Sequence, residues 1–335
     1  SELRQSGKTF STEDLKNAIN LALNPQLKSK PSEKKIDFFK ILDDMIELRR
    51  VDLTEYSIKK YKVLKNHLKK FQEKYKYEIN FDSINFDFDD KFKTYLINDL
   101  KLTNNTIDQI YSKLKAFLNW STVKGYNTNN QFTKMKTKVS STVVIFLEED
   151  ELMRIYNLDT GKSKFLERVK DIFLLACFTG QRFSDIMNLK RDDIRNGNWF
   201  LRTLKTQDII EIPISDFAEE IINKYFENGL PLPKMSNQKV NDGLKIIGKL
   251  AEINQNITIT RYNGTYRIDI TKPKYEFITF HVARKTFVTL SLIKGMTLQV
   301  IMDITGHKDY DTFKKYLKIT SQVKQNEMKN IWKKD

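Results

Sequence analysis

The sequence predicts a mainly α-helical chain with small β-hairpins, divided into two domains. Three observations lead there. Apolar residues recur at helical spacing over most of the length, while strict alternation is confined to short runs near 198–204, 208–214 and 257–270. The 335 residues contain only 6 Pro and 11 Gly, which argues against long structureless tracts. The length suits about two domains, and an apolar fraction of 40% is enough for real cores.

The elements follow in order. Residues 11–24 read as a helix that Ser11 or Thr12 caps, with acids in its first turn. Residues 25–33 read as a linker. Residues 34–127 read as an all-helical unit. Phe38, Phe39, Ile41, Leu42, Met45, Ile46 and Leu48 mark its first apolar face. Ile58, Tyr61, Leu64, Leu68 and Phe71 mark a second helix over 54–71, whose other side is rich in lysine. An acidic turn at 81–90 leads into a helix near 89–100. Asn104 or Asn105 starts another, with Ile107, Ile110, Leu114, Phe117, Leu118 and Trp120 apolar. Residues 124–146 lose the period and carry four lysines and no acid, as an interdomain linker lying on phosphates would.

The second domain begins at Leu147 with a short helix, followed by a strongly apolar one over 166–178. The runs 198–204 and 208–214 predict a hairpin around Lys205, Thr206 and Gln207. Helices are expected near 216–227 and 237–252. Asn263-Gly264 is a turn signal for a second hairpin over 257–270, read as a surface ornament or a DNA- or partner-contacting insertion, the former slightly preferred. Residues 279–333 read as four helices.

Composition limits the function classes. One cysteine excludes a disulfide framework and a thiolate zinc cluster, and three histidines leave little for a metal site except carboxylates. No run of 18 apolar residues exists, and no secretory signal is visible. The chain is expected to be intracellular, soluble and free of a metal or organic cofactor. Net charge is +15, of which +6 lies in 1–150 and +9 in 151–335. A basic excess spread along the chain suits a protein that wraps a polyanion. A lysine-rich proteome would produce the same excess.

Three groups of polar residues stand inside the apolar second domain. Arg182 follows an apolar helix that Gly180 can end, with Ser184 and Asp185 supporting the next. His281 and Arg284, three apart, share a helix face among Phe280, Val282 and Phe287, and a buried His and Arg need partners. Thr305-Gly306-His307 is followed nine residues after the histidine by Tyr316. Taken singly, each has a plain reading: a surface arginine, a satisfied core histidine, a packed tyrosine.

Taken in order, Arg182, His281-x-x-Arg284, Gly306-His307 and Tyr316 resemble the tyrosine recombinase (phage integrase) family. The resemblance covers 147–320 and, more loosely, 34–127. It implies a helical SAM-like core-binding domain at 34–127, a basic linker at 128–146 and a mixed α/β catalytic domain at 147–320. Residues 321–335 would be a helical tail that packs on a neighbouring protomer or folds back in cis. Residues 1–33 would be the remnant of an arm-binding region or a contact to a neighbouring protomer. Ser rather than Met at position 1 raises the expectation of a fragment or of a chain with its front removed.

The resemblance also implies roles. Arg182 stands at the first catalytic arginine of T-G-x-R-x-S-[ED], with Gln181 where leucine is usual. Asp185 stands at the supporting acid and Lys205 at the catalytic lysine. His281 and Arg284 form the H-x-x-R box. His307 fills the His/Trp position, with Thr305 in place of the usual leucine before the glycine. Tyr316 is the nucleophile, and Tyr310 is too close to His307 for the pattern. Arginines that clamp non-bridging oxygens bidentately suit a phosphorane-like transition state. A phenol of ordinary pKa about 10 needs nearby cations and a base.

The implied activity is site-specific DNA recombination through a 3′-phosphotyrosine and a Holliday junction, as the integrase of a mobile element such as a conjugative transposon. The implied partners are double-stranded DNA at specific sites, further copies of the chain (a dimer per site, a tetramer in synapsis) and an accessory DNA-bending protein, with no membrane. The implied place is the bacterial cytoplasm, on the nucleoid. Rivals are a Xer-type or inversion recombinase, a type IB topoisomerase or telomere resolvase using the same residues, and a DNA-binding regulator on the same fold.

Overall fold

The computed structural model describes residues 37–202, 209–310 and 313, together with Lys16 and Ile19. The helix expected at 11–24 therefore lies outside the described residues apart from Lys16 and Ile19, both helical. Residues 203–208 and those beyond Phe313 lie outside them as well. The chain forms two compact units, one from residues up to Ser140 plus Arg261–Arg267, the other from Ser141–Thr260 plus Ile268 onward.

Four helices build the first unit: α1 (Phe38–Leu48), α2 (Glu55–Tyr75), α3 (Phe86–Thr94) and α4 (Asn104–Val123). Their starts are set by short polar side chains. Asp37 Oδ1 accepts from the amides of Phe39 and Lys40, Thr54 Oγ1 from Ser57, and Asn85 Oδ1 from Phe88. Helix α3 passes into a single π turn over Tyr95–Asp99. The core is aromatic: the Phe71 ring lies within 5.0–5.7 Å of Tyr75, Tyr77, Phe88, Phe92 and Tyr95. Phe132 and Met135, which the lost period had put in the linker, are buried in it.

The hairpin tip at Arg261–Arg267 also belongs to this unit, and it is no surface ornament. Asn263 is buried, and its Nδ2 donates to the carbonyls of Ile97 and Leu102. Asn104 and Gly264 exchange two hydrogen bonds, Gly264 N to Asn104 Oδ1 at 2.8 Å and Asn104 Nδ2 to Gly264 O at 3.0 Å. Its neighbour Asn105 does the same with the backbone of Ser140. The first turn of α4 thus spends two side-chain amides on backbone groups far away in sequence, which no local pattern announces.

The second unit contains α5 (Glu149–Tyr156), α6 (Lys164–Thr179), α7 (Phe183–Asn188), the strands β1 (Ile194–Arg195), β2 (Asn198–Arg202) and β3 (Ile209–Pro213), then α8 (Asp216–Phe226) and α9 (Asn237–Leu250). After these come β4 (Asn256–Asn263), β5 (Tyr266–Pro273), α10 (Phe280–Ile293) and α11 (Leu298–Thr305). Strands β1, β2 and β3 form one antiparallel sheet with Trp199 opposite Ile212. The alternation predicted β2 and β3 but not β1, which is only two residues long. The core runs through α6 and α10, where Ile172, Phe173, Leu174, Leu175, Ala176, Val282 and Ala283 are almost fully enclosed. None of the described helices is long and apolar enough to cross a membrane.

Candidate active site

The site is built where α6 ends, α10 runs and α11 ends. Helix α6 stops at Gly180, whose φ of +70° is a left-handed cap. A side chain there would meet the Phe287 ring at 2.5 Å, so only glycine lets the chain turn against α10. Helix α11 ends in the same way at Gly306, φ +63°. The apolar run of α10 fixes which of its faces points inward, and Arg284, at 3% exposure, lies on that face.

Arg284 joins the three elements. Its Nη1 donates to Gly180 O at 2.8 Å and its Nη2 to Thr305 O at 2.5 Å. The same Nη2 lies 3.0 Å from Nδ1 and 3.1 Å from Nε2 of His307. A buried guanidinium is tolerable only with such partners. The His307 ring stands edge-on to the fully buried Phe313, centroids 4.7 Å apart.

Arg182 caps α7, two residues after Gly180. Its guanidinium makes a long ion pair with Asp185, Nη1 to Oδ2 at 3.9 Å. The Asp185 side chain is 1% exposed. Neither Arg182 Nη1 nor Asp185 Oδ2 has a hydrogen-bond partner among the described residues. A buried cationic donor in that state is available to an anion.

His281 lies in the first turn of α10. The shared face predicted a buried pair, but the face opens at the helix start: Arg284 is buried and His281 exposed. Tyr310 is half exposed. Lys205 and Tyr316 lie outside the described residues. Among the described residues, no group of three or more His, Cys, Asp or Glu is placed to hold a metal.

Residue reasoning missed three contributors. Gln181 is fully buried, with Nε2 donating to Thr179 O at 2.8 Å and Ile304 O at 2.7 Å. Thr305, also fully buried, places Oγ1 2.7 Å from His307 Nδ1. Phe313 forms one wall against the ring. The first two had a signal, since each is polar at a position where the family pattern has leucine. Phe313 had none.

Comparison with known proteins bears on the family and the fold. The profile of the phage integrase family matches residues 145–322, and that of the phage integrase SAM-like domain matches residues 37–139. The chain is similar to a tyrosine recombinase of Thermosipho africanus, 24% identical over 234 residues, covering 68% of this chain and 76% of that protein. It is also similar to the tyrosine recombinase XerC of Staphylococcus aureus, 26% identical over 282 residues, covering 81% and 88%. Among solved structures, a lambda integrase dimer bound to a COC′ core site superposes with a TM-score of 0.64 at 19% identity, covering 91% of this chain and 85% of that one. The Tn1549 transposon integrase in complex with a circular intermediate DNA superposes at 0.61 with 15% identity, covering 87% and 98%.

Proposed function

The chain belongs to the phage integrase family and is a tyrosine recombinase, and from that premise we propose that it integrates and excises a mobile element by cutting and rejoining DNA through a 3′-phosphotyrosine. The reading rests on one observation. Arg284 is held by Gly180, Thr305 and His307, and Gly180 stands two residues before Arg182, whose Nη1 has no hydrogen-bond partner among the described residues.

In the proposed reaction Arg182 and Arg284 stabilise the non-bridging oxygens of the scissile phosphate, staying charged at any working pH. Asp185 holds Arg182 in place. The phenol oxygen of Tyr316 attacks phosphorus and its proton passes to His281 as general base. The bond to the 5′-oxygen breaks, and Lys205 gives that oxygen its proton. His307 hydrogen-bonds the phosphate. The phosphodiester energy stays in the phosphotyrosine, so attack by the 5′-hydroxyl of another strand reverses the chemistry without a nucleotide cofactor. Two protomers on each site and four in synapsis would exchange strands in pairs through a Holliday junction. The basic surface of the chain supplies sequence-independent affinity for the duplex.

The test is covalent trapping on nicked duplexes taken from the ends of the genetic element that carries the gene. The unmutated chain should give a denaturant-resistant protein–DNA adduct, and Tyr316→Phe should give none while still shifting the duplex in a gel. No adduct from the unmutated chain sinks the enzymatic reading. Undiminished adduct from Tyr316→Phe moves the nucleophile elsewhere. Likeness to XerC favours a second reading, resolution at a chromosomal site, which adducts mapped to such a site would support instead.

A further inference from the structure

Thr305 and Gln181 have no part in the proposed chemistry, yet both are fully enclosed polar side chains against residues that do. Gln181 Nε2 bridges the ends of α6 and α11 through Thr179 O and Ile304 O, and so fixes the peptide that carries Thr305. Thr305 Oγ1 lies 2.5 Å from Ile301 O and 2.7 Å from His307 Nδ1.

A hydroxyl owns one proton. Two oxygens 2.5 Å apart repel unless a proton lies between them, so the Thr305 proton is committed to Ile301 O. The oxygen then faces His307 Nδ1 with a lone pair, and Nδ1 must carry the hydrogen. Arg284 Nη2 lies almost equally far from the two ring nitrogens and does not itself choose between them. A guanidinium only donates, and Nη2, having given one hydrogen to Thr305 O, points its second at the ring. With Nδ1 donating to Thr305, Nε2 is the ring atom that can accept.

We propose that Thr305 is a positioning residue that holds His307 as the Nδ1–H tautomer, with Gln181 anchoring the turn, so that Nε2, bare in the free protein, must take up a proton before His307 hydrogen-bonds the phosphate. The functional half of this rests on the role proposed for His307. The tautomer itself does not.

The test is nitrogen-15 NMR of the full chain labelled in its histidine rings. The chain has three histidines, so His67→Gln and His281→Gln assign the His307 signals by elimination. The unmutated protein should show Nδ1 protonated and Nε2 bare near neutral pH. Thr305→Val, close in shape but without the hydroxyl, should lose that pattern, and Thr305→Ser should restore it. A ring protonated only at Nε2 in the unmutated chain overturns the proposal, as does an unchanged Nδ1–H pattern in a folded Thr305→Val. Should the valine variant fail to fold, the unmutated spectrum and Thr305→Ser still decide. No DNA enters the measurement, so its failure is distinct from a failure to form the adduct.

Discussion

Gly180→Ala isolates the turn on which the site depends. The substitution forces a Cβ into a left-handed backbone, φ +70°, which costs roughly 1–2 kcal/mol. It also drives that atom to 2.5 Å from Cδ1 and 2.9 Å from Cε1 and Cγ of Phe287. Overpacking of this kind typically costs about 1–3 kcal/mol. Together these predict a loss of roughly 2–5 kcal/mol, or about 5–15 °C in the melting temperature of the second unit. The two parts separate in a double-mutant cycle. Adding Phe287→Leu should relieve the steric part and leave the backbone part. Calorimetry with urea titration measures both. A melting temperature within about 2 °C of the unmutated protein refutes the argument, because neither cost could then be present. A full additive loss in the double variant refutes only the Phe287 contact.

Other perturbations follow from the same geometry. Lys274→Met leaves Glu151 buried without the cation that lies 2.5 Å from it, which should cost about 3–5 kcal/mol in urea unfolding; Lys274→Met with Glu151→Gln should recover part of that. Asn104→Ala strips both hydrogen bonds from the Gly264 backbone, and should cost the first unit about 1–3 kcal/mol and remove hydrogen-exchange protection at the Gly264 amide. Asp185→Ala leaves Arg182 without its carboxylate and should lower the adduct yield roughly 10–100-fold with little change in duplex binding. Burial pushes the Cys177 thiol well above its ordinary range. The folded chain therefore keeps a proton that the unfolded chain loses above about pH 8.5, so this residue lowers stability as pH rises past that point. Native protein should resist thiol reagents until it unfolds.

Much of the fold was legible because it is written locally. The caps at Thr54, Asn85, Ser163, Ser236 and Thr297 stand directly before helices, and Gly180 and Gly306 directly after them. Asn263-Gly264 announced its hairpin. Asn196-Gly197, with φ of +50° and +74°, carries the same signal for the turn between β1 and β2, but only two residues precede it in the strand, too few to show alternation. The burial of Asn263 was not legible, because its partners Ile97 and Leu102 lie some 160 residues away. The order of Arg182, His281, Arg284 and His307 was legible as a pattern. Their differing exposure was not, since burial along α10 depends on where the helix begins relative to its neighbours. The Thr305–His307 contact was hidden differently, being close in sequence but formed only when Gly306 reverses the chain.

The two carbonyls that hold Arg284 belong to helix C-termini, Gly180 at the end of α6 and Thr305 at the end of α11. Each such end carries the equivalent of roughly half a negative charge. The two helices aim their negative poles at the guanidinium and so lower the cost of burying it. In electrostatic terms the two dipoles offset part of the charge they seat, so the cation keeps its place in the interior without being neutralised there.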